Sequence, residues 1–65
     1  MGKGFCAHRV VVRSADDAII YDQECHGFAE AEPVWLERQA TCPPGGSVAL
    51  QHGARIMKWW EAPQT

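Results

Sequence analysis

The run Cys42-Pro43-Pro44-Gly45-Gly46 cuts this chain in two. Consecutive prolines cannot continue a helix or a central strand, and the glycines after them leave the backbone free to turn, so no regular element crosses this point. The pieces on either side are short. The whole chain has 65 residues, which makes one domain over 1–65, with loose ends expected at 1–4 and 62–65. A chain of that length buries only about 60% of its unfolded surface, so its core is small.

Before the break, Arg9–Arg13 and Ala18–Tyr21 are β-rich runs around the polar turn Ser14-Ala15-Asp16-Asp17, the pattern of a β-hairpin. A four-residue loop pairs Arg13 with Ala18, Val11 with Ile20 and Arg9 with Asp22, the last a favourable cross-strand charge pair. The opposite face then carries Cys6, His8, Val10 and Val12 against Cys25, Gln23, Tyr21 and Ile19. It is the more apolar face and is expected to point inward.

Good helix formers follow, with Glu30 and Glu32 placed for the positive end of a helix and Arg38 for the negative end. Pro33 suits a first helical turn. This predicts about two turns from Glu32 or Pro33 to Ala40, with Trp35, Leu36, Gln39 and Ala40 on one face and Trp35 and Leu36 packed on the sheet. After the break, Ser47–Pro63 reads as a second hairpin turning at His52-Gly53. That turn pairs Gln51 with Ala54, Ala49 with Ile56 and Val48 with Met57, so Trp59 joins Val48, Leu50 and Met57, while Ile56, Lys58 and Trp60 share the other face. A three-residue loop would place Trp60 with Val48 and Leu50 instead. The expected fold is α+β, a ββαββ domain with one helix over antiparallel strands. The alternative is a small five-stranded SH3-like or OB-like barrel, with residues 34–40 as a strand and tight turns at Gly45-Gly46 and Gly53.

Net charge is −2, and Lys3, Arg9, Arg13, Arg38, Arg55 and Lys58 are dispersed. Duplex nucleic acid, whose binding draws on a basic stripe, is therefore not an expected partner. No run of about 18 apolar residues exists to span a membrane. The start, "MGKGFCAHR", lacks a signal-peptide core, and Cys6 stands where N-myristoylation requires Ser or Thr. A cytoplasmic protein with its cysteines as thiols is expected.

Three cysteines and three histidines invite a zinc reading, with Cys6, His8 and Cys25 as ligands and Cys42 or His26 as the fourth. The paired Cys-x-x-Cys or His-x₃-His knuckles are missing, so the expectation is no cofactor, with zinc as the alternative. Catalysis is not expected. Cys25 and His26 would point to opposite faces of a strand, and the sequence carries no phosphate loop or serine motif. Tyr21, Trp59 and Trp60 could form a stacking platform for single-stranded nucleic acid, but few basic residues lie among them.

The adjacent tryptophans carry the functional expectation. Only one of Trp59 and Trp60 can enter the core, and the other needs a partner. With Trp60 outward, Trp60, Ile56 and Lys58 form a contact surface for another protein or for a second copy in a homodimer. The expected function is a non-enzymatic protein-binding module, an accessory or inhibitory protein of bacterial or phage origin. The alternative is a single-stranded nucleic-acid-associated protein, zinc-stabilised.

Overall fold

The computed structural model describes residues 7–64. Within them the chain forms β1 (His8–Arg13), β2 (Ile19–Cys25), α1 (Phe28–Gln39), β3 (Ser47–His52) and β4 (Arg55–Glu61). The four strands make one antiparallel sheet in the order β2-β1-β3-β4. This is the expected ββαββ arrangement, and because residues 34–39 are helical, the barrel alternative is set aside. β2 and β3 run in the same direction with β1 between them, so α1 is the crossover that joins them.

The break at 42–46 is a turn whose residues match its geometry. Gly46 N–H donates to the Pro43 carbonyl at 3.0 Å, and Gly45 has φ +79°. That is a type II turn, with Pro44 and Gly45 at the two central positions that favour proline and glycine. Gly46 must itself lack a side chain, because a Cβ there would collide with the Arg13 carbonyl oxygen. The C-terminal segment is fastened to this turn: Ala62 N–H donates to Gly46 O at 2.9 Å and Gly45 N–H to Pro63 O at 3.2 Å. Ala62 and Pro63, within the segment 62–65, thus have hydrogen-bond partners, and residues 1–4 lie outside the described residues.

The first hairpin differs from expectation by two one-residue shifts. Ser14 N–H donates to Ala18 O at 2.8 Å and Asp17 takes φ 71°, so the strands start to pair at Arg13 and Ile19. Aspartate tolerates that left-handed conformation. A bulge at the next step inserts Ile20, and the ladder continues as Val12 with Tyr21, Val11 with Asp22 and His8 with Cys25. Two single shifts restore parity, so Val10 and Val12 still share a face with Tyr21, Gln23 and Cys25. Ile19, expected inward, lies at the bulged end of this edge strand and is 53% exposed. Cys25 sits opposite His8 rather than Cys6, and Cys6 lies outside the described residues.

Helix α1 starts at Phe28, several residues before the expected start, and Pro33 is inside it rather than in its first turn. Gly27 caps the helix without a side-chain bond, while the Glu30 carboxylate reaches back to the His26 N–H at 3.4 Å. The earlier start follows from packing. Phe28, Ala31, Val34 and Trp35 recur at helical spacing and pack with Val10, Val12, Cys25, Val48 and Leu50 of the sheet. Leu36, expected on the sheet, is one position round from Trp35 and is 55% exposed. The Trp35 indole N–H donates to the Val48 carbonyl at 2.9 Å, which holds the helix axially as well as laterally.

Pro33 removes one helical hydrogen bond and crowds the carbonyl four residues before it, at an exposed position. Pro33→Ala is therefore expected to raise the stability of the fold by on the order of 2 kcal/mol. A higher urea midpoint with an unchanged slope would show it; an unchanged or lower midpoint would mean that the ring makes a compensating contact.

Candidate functional site

α1 covers one face of the sheet, and among the described residues no element covers the other, the open face. Register gives the open face three rows. Asp22, Val11, Ala49 and Trp59 form the middle row; Glu24, Arg9, Gln51 and Ile56 lie on one side of it, and Arg13, Ser47 and Glu61 on the other. Val11 and Ala49 are almost fully buried and make an apolar floor flanked by larger neighbours, with Trp59 standing at one side, 48% exposed. Ile56 and Met57 are comparably exposed beside it on β4.

Charges on this face are largely satisfied within the chain. The Arg9 guanidinium binds the Asp22 carboxylate at 3.0 Å, and Asp22 raises the arginine's pKa further above its ordinary value through that hydrogen bond. This is the expected pair, reached across a diagonal because Arg9 lies directly opposite Glu24. Arg13 lies 3.7 Å from Asp17. Both pairs are largely exposed and organise the face more than they stabilise the fold.

The tryptophans take the reverse of the expected places. The β3–β4 turn is Gly53-Ala54, with positive φ at Gly53 alone of the two, as a type II′ turn requires. This turn displaces the pairing by two residues, to Gln51 with Ile56, and leaves Ile56 on the face expected. A bulge at Met57 then adds one more, giving Leu50 with Lys58, Ala49 with Trp59 and Val48 with Trp60. One extra residue flips every side chain beyond it. Trp60 therefore lies on the helix face, half-buried against the core, and Lys58 lies there too. The Lys58 ammonium binds Glu32 at 3.2 Å and stands 5.1 Å from the centre of the Trp35 ring. The expected surface of Trp60, Ile56 and Lys58 is thus divided between two faces, and Trp59 stands in its place beside Ile56. The sequence does carry a trace of the bulge: Ile56-Met57-Lys58-Trp59-Trp60 cannot alternate apolar with polar residues.

The stacking platform is divided in the same way. Tyr21 lies under the Arg38 guanidinium, 3.9 Å from ring centre to carbon, and its hydroxyl bonds Gln23. With Trp60 also on the helix face, Trp59 alone of the three is presented on the open face.

The described cysteine and histidine residues gather at two ends of the fold. His8 stacks on His52 at 4.2 Å with the planes 6° apart, and it meets the Phe28 ring edge-on at 6.3 Å. Its Nδ1 is buried without a hydrogen-bond partner. Parallel stacked imidazoles direct their in-plane lone pairs side by side, so they do not converge on one ion. Cys42 packs beside Gly46 at the other end of β1, about 16 Å from His8 at strand rise. It cannot share an ion with His8 and Cys25. Among the described residues no group of three His, Cys, Asp or Glu side chains is placed to hold a metal. Burial, and secondarily the Glu30 carboxylate, push the Cys25 thiol up. His26 is exposed, with its Nδ1 3.7 Å from the Glu30 carboxylate. No family model, curated protein or solved structure matches the chain.

Two expectations follow. Trp60→Ala should cost about 3 kcal/mol of folding stability, as large truncations against a core do, while Trp59→Ala should stay within about 1 kcal/mol of the native value. Urea unfolding of both variants checks this, and equal losses would refute the assignment of faces. The second concerns pH. Because folding raises the Cys25 pKa, its contribution is fully present below the ordinary thiol range and is lost as pH rises through and above it. Stability should fall on the alkaline side, and Cys25→Ala should flatten that slope relative to the native chain.

Proposed function

We propose that the chain is a small non-enzymatic contact module that binds another protein through the open face of its sheet, with Trp59 as the anchor and Ile56 beside it. The observation that carries this reading is a half-exposed indole at the side of an apolar floor, Val11 and Ala49, on a sheet face that no element of the described chain covers. Tryptophan is among the commonest interface hot spots, because it contributes a large rigid area for little lost conformational freedom. The setting we propose is cytoplasmic, with Cys25 and Cys42 as thiols, and the role accessory or inhibitory, exerted by occupying a partner's surface. No helix among the described residues is long and apolar enough to cross a membrane. The function of Trp60 in this reading is indirect: it packs β4 against the core under α1 and so fixes the position of Trp59, whereas the partly exposed Lys58–Glu32 pair adds little to that.

Affinity capture from a native host lysate tests the proposal, with Trp59→Ala and Lys58→Ala run beside the native chain. A protein retained by the native chain and by Lys58→Ala, but weakened by on the order of 2 kcal/mol with Trp59→Ala, is the expected result. Equal retention by all three would remove the open face from the function. Salt-sensitive binding to single-stranded oligonucleotides, also lost with Trp59→Ala, would replace the protein partner with nucleic acid.

A further inference from the structure

The backbone offers a second contact, distinct from the side chains of the open face. In an antiparallel ladder the N–H and C=O of one residue point to the same side, and successive residues alternate sides. Ala62 N–H bonds Gly46 O, and this pair continues the register of Val48 with Trp60. Trp60 is therefore hydrogen-bonded toward β3, and the amide groups of Trp59 and Glu61 point away from the sheet at its β4 edge. At the other edge, Gly53 N–H bonds Ala7 O in the register that pairs β1 with β3. His8, Val10 and Val12 are then bonded toward β2, and the outward edge groups of β2, without partners among the described residues, belong to Asp22 and Glu24.

The two edges differ in what pairing would place opposite itself. Joining β2 to β2 of a second copy about either residue with free groups puts Asp22 opposite Asp22 or Glu24 opposite Glu24, which repel. Joining β2 to β4 is a head-to-tail contact that cannot close as a two-fold dimer and runs on into a ring or a filament. Joining β4 to β4 about Trp59 closes on a two-fold axis. It sets the two Trp59 residues opposite each other on the open face, and sets Lys58 of each copy opposite Trp60 of the other on the helix face. Glu61 faces Met57, and no like charges are opposed. Lys58 is already balanced by Glu32, so it does not guard this edge as an outward lysine would.

We infer that a second copy of this chain pairs along β4, centred on Trp59, to give a continuous eight-stranded sheet. The bulge at Met57 ends the regular ladder on one side, so the contact is short and the dimer reversible. This rests on edge amides and not on the proposed foreign partner, although it would place two Trp59 side chains together at the middle of the joined open face.

The test is sedimentation equilibrium with residue-resolved amide exchange, at two protein concentrations about a hundredfold apart so that mass action shifts the equilibrium. The expected result is a mass rising from monomer toward dimer, with exchange at Trp59 and Glu61 slowing roughly tenfold or more while Asp22 and Glu24 stay fast. Glu61→Pro removes one outward N–H at a position where an edge strand tolerates proline, and should weaken the dimer while leaving the monomer folded. A monomer at both concentrations would overturn the inference. So would a dimer that protects Asp22 and Glu24 instead, or one that protects neither edge. A foreign protein retained by Glu61→Pro but lost with Trp59→Ala would separate the open-face contact from the edge contact, so the two proposals can fail independently.

Discussion

A four-stranded sheet has two faces, and among the described residues one helix is available to cover them. The side chains under α1 become the core: Val10 and Val12 from β1, Cys25 from β2, Val48 and Leu50 from β3, with Trp60 closing the β4 side. The Trp35 indole bonded to the Val48 carbonyl makes this packing directional, because it fixes α1 to one point on a central strand. What remains outward is then decided by alternation alone. The open face carries internal ion pairs and small floor residues, and the aromatic group it retains is Trp59.

Much of this was legible from residue order. The element sequence, the break at the Pro-Pro-Gly-Gly turn, the inward face of the first hairpin and the Arg9–Asp22 pair all follow from patterning and turn chemistry. The helix start was not, because Pro33 is a strong local signal for a first turn and the contacts of Phe28 and Ala31 that override it come from distant strands. The faces of the tryptophans were not legible either, and the two hairpins show why. In the first, a longer loop and a bulge each shift the ladder by one, so the errors cancel and every residue keeps its face. In the second, the turn shifts the ladder by two and the bulge at Met57 by one, so the parity changes. A bulge is a single-residue event set by the fit of both flanking segments, and period-two reasoning carries no term for it.

His8 and Cys25, offered by the sequence as candidate ligands, are packed among apolar and aromatic groups, and so is Arg38. Cys25 is enclosed by the core, His8 is held between an imidazole and a phenyl ring, and Arg38 lies over a tyrosine with its Nε buried. The surface we propose for recognition is almost all β4, whose side chains would serve one contact and whose outer amides another. A strand with both uses has little freedom to change, since a substitution chosen for one alters the other.

The pairing of β1 with β3 also governs when the molecule can exist as a folded object. β1 ends at Arg13 and its inner partner begins at Ser47, with the first hairpin and α1 between them. A nascent chain stopped at the turn before β3 would have its valines on an unpaired inner edge and its Trp35 indole without the carbonyl it bonds. Local segments can flicker into shape during synthesis, but the contacts that reward them are long-range and arrive together. Acquisition of the fold is thus a late, concerted event. Until the ribosome has released β3, this chain depends on its surroundings to keep Val10, Val11 and Val12 from finding another strand.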